Sequence, residues 1–144
     1  MTRISSAIEP IELCDEMLRA EHREIKRIPN AIHKKIREGK KVDLSKQPKD
    51  FKLGTGHVIF FYDKLKYLHE RYKALRAECI ERGFNMSDFN GCFEGLPSHL
   101  YNDWTPTPQT RQIVVQRINE RLQGMTEIKY YSEDIEAQYI SLSN

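Results

Sequence analysis

HVIFFYDKLKYLHERYKALRAECIERG, residues 57–83, is the stretch that decides the fold class. Val58, Phe61, Leu65, Leu68, Tyr72, Leu75, Cys79 and Ile80 recur at steps of three and four, the period of one helix face and not the alternation of a strand. Gly83 supplies a C-terminal stop. The spacing predicts a helix over 57–83 that is apolar enough at its start to run through the core.

Working outward, residues 10–39 carry Leu13, Cys14, Met17, Leu18, Ile25, Ile28, Ile32 and Ile36 at the same spacing, which predicts a long first helix. Pro29 has no N–H and crowds the carbonyl of Ile25, so a kink is expected there; Gly39 is the natural end. Between the two helices, KKVDLSKQPKDFKLGTG is polar, basic and broken by Pro48, Gly54 and Gly56, and reads as an exposed connection. Beyond Gly83, residues 84–106 are rich in turn formers and aromatics and read as a packed loop. Thr107 is placed to cap a third helix, with Pro108 at its first position and Gly124 at its end. The tail, MTEIKYYSEDIEAQYISLSN, contains little to force a structure. The expectation is an all-α protein, a compact single domain over residues 1–144 with three main helices and long packed loops.

With 39% hydrophobic and 31% charged residues, no apolar run of bilayer length and no charged-then-apolar start, the chain is expected to be soluble and cytoplasmic. Cys14, Cys79 and Cys92 are an odd set with neither a CxxC pair nor metal-ligand spacing, which predicts buried thiols and no metal site. The net charge of +2 conceals an asymmetry. Residues 26–52 hold ten Lys or Arg against Glu38, Asp43 and Asp50, whereas residues 85–144 hold four basic against eight acidic side chains. The front half is therefore a surface for a polyanion, or else a solvated helix face.

No HExxH, GxSxG or phosphate-cradling glycine loop is present, and His22, His33, His57, His69 and His99 are scattered. Attention falls on RAEHREIKRIP, where Glu24 stands between Arg23 and Arg27. On a helical wheel Arg23, Arg27 and Lys34 lie about 60 to 100° to one side of Glu24, with the apolar stripe on the other. Glu24 thus borders a dry interior and a basic face, with the small Ala20 one turn before it. A carboxylate there could hold a proton or oppose a developing cation. Alternatively it pairs with Arg27 at i,i+3, which on geometry alone is the simpler reading.

Five blocks bear on this choice: MTRI at the start, LCDEMLRAEHREIKR at 13–27, LGTGHVIFFYDKL at 53–65, AECIERGFN at 77–85 and QRINERL at 116–122. Together they resemble the pyrimidine-dimer DNA glycosylase, or endonuclease V, family of bacteriophage repair enzymes, in order along nearly the whole chain. The resemblance implies a compact domain of three α-helices that cleaves the glycosidic bond of a cyclobutane pyrimidine dimer and then nicks the backbone by β-elimination. It implies a cofactor-free enzyme acting as a monomer on damaged double-stranded DNA, associated with the nucleoid during repair. The nucleophile, the α-amine of a threonine exposed when the initiator methionine is removed, maps onto Thr2, and the essential carboxylate onto Glu24. DNA-contacting arginines map onto Arg3, Arg23, Arg27 and Arg117, and a basic helix position onto Arg121. Lys34, on the face of Arg23 and Arg27, is a further phosphate contact.

The chemistry is coherent with those residues. An amine that attacks the anomeric carbon becomes an iminium, an electron sink that acidifies the neighbouring C–H. A free α-amine has a reference pKa of about 8, so about a tenth of it is neutral at pH 7 without help from a buried lysine. Arg3, next in the chain, would further disfavour the ammonium form, and Glu24 would stabilise the cation and shuttle the proton. His57 and Tyr62 are candidates for the neighbourhood of the site, whereas Phe60 and Phe61 read as core.

Departures from the family pattern concentrate in two places. Glu16 and Met17 replace a glutamine and a histidine, and the aromatic tail motif appears as Glu127, Ile128, Lys129, Tyr130 and Tyr131, of which Lys129, Tyr130 and Tyr131 remain candidates for DNA contact. These changes bear on lesion preference more than on amine chemistry, so another damaged base is the alternative substrate, and a non-catalytic basic helical DNA-binding module the alternative class.

Overall fold

The computed structural model describes residues 1–142, and it is all-α apart from one short hairpin. A 3-10 turn, Pro10–Glu12, precedes α1 (Asp15–Ile25) and α2 (Arg27–Arg37); α3 (His57–Phe60), α4 (Leu65–Glu81) and α5 (Pro108–Gln123) follow, then β1 (Lys129–Tyr130) paired antiparallel with β2 (Glu133–Asp134). Among the described residues no helix is long and apolar enough to cross a membrane.

Two of the three long helices expected from periodicity are divided, for different reasons. The first breaks at Lys26: Asn30 N–H still reaches the Lys26 carbonyl at 3.1 Å, but Pro29 has no N–H to offer Ile25, so one helix becomes two. Pro10–Glu12 is separate as well, because Cys14 takes an extended conformation as the N-cap of α1. Gly39 ends α2 at φ +70°, as expected.

The second break, between Phe60 and Leu65, originates outside the segment. Gln47 Nε2 donates to the carbonyls of Ile59 at 3.2 Å and Phe60 at 3.1 Å and to Asp63 Oδ1 at 2.8 Å, while Lys64 Nζ takes the Phe60 carbonyl at 2.9 Å. Side chains thus occupy carbonyls that a continuous helix would use. The connection before it is accordingly not fully exposed, since Gln47 is partly buried and Phe51 joins Phe60, Phe61, Tyr67 and Trp104 in an aromatic cluster. The packing of Phe60 and Phe61 follows the expectation.

The third helix starts and ends where its punctuation places it. Thr107 Oγ1 accepts from Thr110 N–H at 3.2 Å, Pro108 opens the first turn and Gly124 caps the end. Residues 84–106 form a packed loop with two 3-10 turns that bury Phe93 and Leu100.

The core lies chiefly between α1 and α4, where Leu18 and Ile25 meet Leu68, Tyr72, Leu75 and Cys79, and α5 closes it with Val114, Val115, Ile118 and Leu122. Cys14 and Cys79 are buried and Cys92 is half-buried; burial pushes the thiols of Cys79 and Cys92 up to about 11, away from reactivity.

The tail is more ordered than its composition suggests. Tyr131 and Ser132 turn the hairpin at φ 54° and 64°, and their N–H groups donate to the two oxygens of Asp15 at 3.0 and 2.7 Å. Asp15 is itself held by Arg82 Nη1 at 2.9 Å, and Arg82 stacks on the Tyr131 ring.

Candidate active site and DNA-facing surface

Met17, Ala20, Glu21 and Glu24 follow one another at helical spacing, so α1 presents all four on one face. That face meets Arg117, Ile118 and Arg121 of α5 and the N-terminal segment through Arg3 and Ser5, and a small cleft opens where the three elements converge. Small Ala20, one turn before Glu24, lines it.

The N-terminal segment reaches the cleft because its next residues are anchored. Ile4, Ser6 and Ile8 are buried, and Arg111 and Arg71 bind the carbonyls of Ala7 and Ile8. Arg3 N–H donates to Glu24 Oε1 at 3.1 Å, and the Arg3 guanidinium lies 3.5 Å from Oε2. Glu24 is 5% exposed. Its ion-pair partner among the described residues is therefore Arg3, not the helical neighbour Arg27. Met1 is 86% exposed, so nothing in the core depends on it, and Thr2 is half-buried beside the anchored Arg3 amide.

Behind Glu24 sits a second carboxylate that spacing did not single out. Glu21 is 3% exposed and held bidentate by Arg71, Nε to Oε2 at 2.7 Å and Nη2 to Oε1 at 3.1 Å. The pair neutralises Glu21 and leaves Glu24 as the less encumbered acid of the cleft. Arg117 donates to Ser5 Oγ, while its Nη1 is buried with no hydrogen-bond partner among the described residues. Burial lowers its proton affinity and the Glu21 carboxylate opposes that loss. At the rim Arg121 Nη2 bonds Glu16 Oε1 at 3.0 Å.

His57 is the other residue that spacing could not assign. It is 3% exposed, and its Nε2 lies 3.0 Å from Ile4 N while Nδ1 lies 2.8 Å from the Lys52 carbonyl.

The basic residues expected to meet DNA do not form one patch. Arg3, Arg117 and Arg121 share the cleft with Glu24. Arg27 and Lys34, with Asn30, Ala31 and Arg37, line a groove along the exposed face of α2. Arg23 and Lys129 line another groove, with Arg19, Phe84 and Glu127. Tyr130 departs from the expectation of a contact residue: it is 3% exposed, and its hydroxyl accepts from Gln138 N–H at 3.1 Å, so its ring is not offered to a duplex. Tyr131 is exposed, though its hydroxyl donates to Glu78 at 2.7 Å.

The cleft thus sets a buried carboxylate that receives the N-terminal backbone beside the guanidinium groups of Arg3, Arg117 and Arg121, an arrangement chemically suited to opposing positive charge and to binding anions. A family model described as pyrimidine dimer DNA glycosylase matches residues 1–89. The chain belongs to this family. As a pyrimidine dimer DNA glycosylase it is an enzyme of DNA repair that acts on damaged DNA. The matched span contains the N-terminal segment, Glu24 and α1 to α4, whereas α5 with Arg117 and Arg121, and the tail with Lys129, lie beyond it.

Proposed function

We propose that this glycosylase is bifunctional, cutting the glycosidic bond of a cyclobutane pyrimidine dimer and then the backbone at the resulting abasic site, through an imine on the Thr2 α-amine. The observation that carries this reading is the 3.1 Å hydrogen bond from Arg3 N–H to Glu24 Oε1, which ties the residue after Thr2 to a buried carboxylate. Once Met1 is removed, the freed amine stands one residue from that anchor, and consecutive Cα atoms are about 3.8 Å apart.

In the reaction the neutral amine attacks C1′ and the bond from C1′ to the pyrimidine breaks, the base leaving still joined to its neighbour in the dimer. The ring oxygen then departs from C1′, leaving an iminium between that carbon and the Thr2 nitrogen. Loss of a C2′ proton sends its electron pair toward C3′ and expels the 3′ phosphate, and water later frees the enzyme. Glu24 stabilises the cation at each stage and carries the proton between steps. Arg3, Arg117 and Arg121, which line the cleft with Glu24, bind the flanking phosphates. Arg23, Arg27, Lys34 and Lys129 extend the contact along the backbone as exposed charges. The enzyme works as a monomer without a cofactor.

The altered tail favours a second reading of substrate preference only. With Tyr130 in the core, only Tyr131 of the Tyr130–Tyr131 pair is exposed beside Lys129, with Tyr139 exposed farther along the tail, so stacking on the lesion strand at that pair is reduced and another damaged base becomes a competing substrate.

Borohydride trapping on duplexes with a thymine dimer or an abasic site, followed by mass mapping, tests both. A cross-link at the Thr2 amine with both duplexes supports the whole proposal. One with the abasic site alone leaves a lyase with another base preference, and none with either leaves a glycosylase that does not work through an imine.

A further inference from the structure

His57 makes two hydrogen bonds whose partners leave no freedom of direction. Ile4 N–H is a donor only, so Nε2, 3.0 Å away, must offer its lone pair; the Lys52 carbonyl is an acceptor only, so Nδ1, 2.8 Å away, must carry the proton. The ring is therefore a neutral imidazole of one tautomer. It spans 53 residues of sequence to hold the amide next to the one that Glu24 holds.

We propose that His57 is a positioning residue for the glycosylase reaction: as the neutral Nδ1–H tautomer it pins Ile4, and through Ile4 and Arg3 it sets where the Thr2 amine stands relative to Glu24. This rests on the reading of Thr2 as the nucleophile. Successive N–H groups, Arg3 to Glu24 and Ile4 to His57, clamp the segment from two elements, α1 and the start of α3. Losing the second clamp leaves Arg3 alone to fix the amine.

The surroundings suit a ring that must stay neutral. Phe51 and Phe61 meet it edge-on at 5.4 and 5.3 Å, and the charges that act on it are Glu21 from α1 and Arg117 from α5. Burial disfavours the imidazolium and Arg117 adds to that, while the Lys52 carbonyl and Glu21 pull the other way; the net effect is a lowered pKa. Protonation would set an N–H of His57 against the N–H of Ile4 and release the clamp.

The test compares His57→Phe, which keeps an aromatic ring and has no lone pair, with His57→Gln, which restores an acceptor for Ile4. Single-turnover borohydride trapping on an abasic-site duplex should slow by about tenfold to a hundredfold in His57→Phe and recover to within about threefold of wild type in His57→Gln, since ångström-scale misplacement costs rates of this order. Affinity for a duplex carrying a non-cleavable abasic analogue should stay within about threefold for both, because no phosphate contact changes. Nitrogen NMR of the wild-type imidazole should show the proton on Nδ1. On acidification wild type should lose trapping with one more proton than His57→Gln does. Should His57→Phe not fold, His57→Gln and the NMR spectrum still decide.

Wild-type rates in His57→Phe, or a proton on Nε2, would overturn the inference while the Thr2 cross-link in wild type stood. A wild-type cross-link mapping away from Thr2 would instead remove the nucleophile reading and this inference with it.

Discussion

Glu16 and Arg121 face each other across the rim of the cleft, Oε1 to Nη2 at 3.0 Å, joined over 105 residues of sequence. The pair is wet, with side chains 60% and 39% exposed respectively, so it contributes at most about 1 kcal/mol to stability. Its consequence is electrostatic: a carboxylate occupies the guanidinium that we propose as a phosphate contact. Glu16→Gln should leave the urea midpoint nearly unchanged and tighten binding to duplex DNA. The slope of log K against log salt should steepen by about 0.9 for one phosphate gained. A salt titration of wild type and variant decides; unchanged slopes would mean that Arg121 does not reach the backbone.

Glu24→Gln keeps an oxygen for the Arg3 amide but removes the charge. Turnover on dimer DNA should fall by about 10² to 10⁴, the range for losing a positioned acid or base, while affinity for the same duplex changes little. Single-turnover cleavage and fluorescence anisotropy on one duplex separate the two effects. Equal loss of both would make Glu24 an anchor for the N-terminus and nothing more.

Arg71 is the only described ion-pair partner of buried Glu21. Arg71→Met should destabilise the protein by about 3–5 kcal/mol, because a buried carboxylate is left unpaired. Adding Glu21→Leu should recover much of that loss, since the charge that suffers is gone. Urea unfolding of the single and double variants measures the difference, and full additivity would argue against the pair as a unit.

Burial lowers the pKa of both His57 and His22 from 6.5; for His22, Arg76 and Lys26 push the same way against Asp88. Between the lowered values and 6.5 the unfolded chain binds more protons than the folded one, so stability must decline as pH falls below about 6.5, with a limiting slope of about 1.4 kcal/mol per unit for each histidine. Above that range neither contributes a pH dependence. His22→Phe retains a ring near Tyr72 and Phe89 and gives up a buried Nε2 without a hydrogen-bond partner among the described residues, so it should shed one histidine's share of the slope. Unfolding free energies at pH 7.5 and 5.5 are the measurement.

What was legible in the residues is what short range controls. Thr107, Pro108 and Gly124 cap α5 from within or beside it, and the apolar spacing of α1, α2 and α4 marks their buried faces whatever lies opposite. Pro29 marked a kink, and its missing N–H to Ile25 made of it a full division into two helices. Glu24 could be placed at the border of a dry face because a helical wheel is a local object.

The rest depended on hydrogen bonds between distant segments, which no period encodes. Gln47 divides a helix that its own pattern would have continued, by taking the carbonyls of Ile59 and Phe60. Asp15 orders a hairpin more than a hundred residues away, burying Tyr130 on the way. The wheel offered Glu24 the neighbour Arg27, but packing of Ile4 and Ile8 delivered Arg3 to it first. Helix faces follow from spacing alone; the partners that a buried carboxylate or imidazole acquires are set only when the chain closes and unpaired donors must find acceptors.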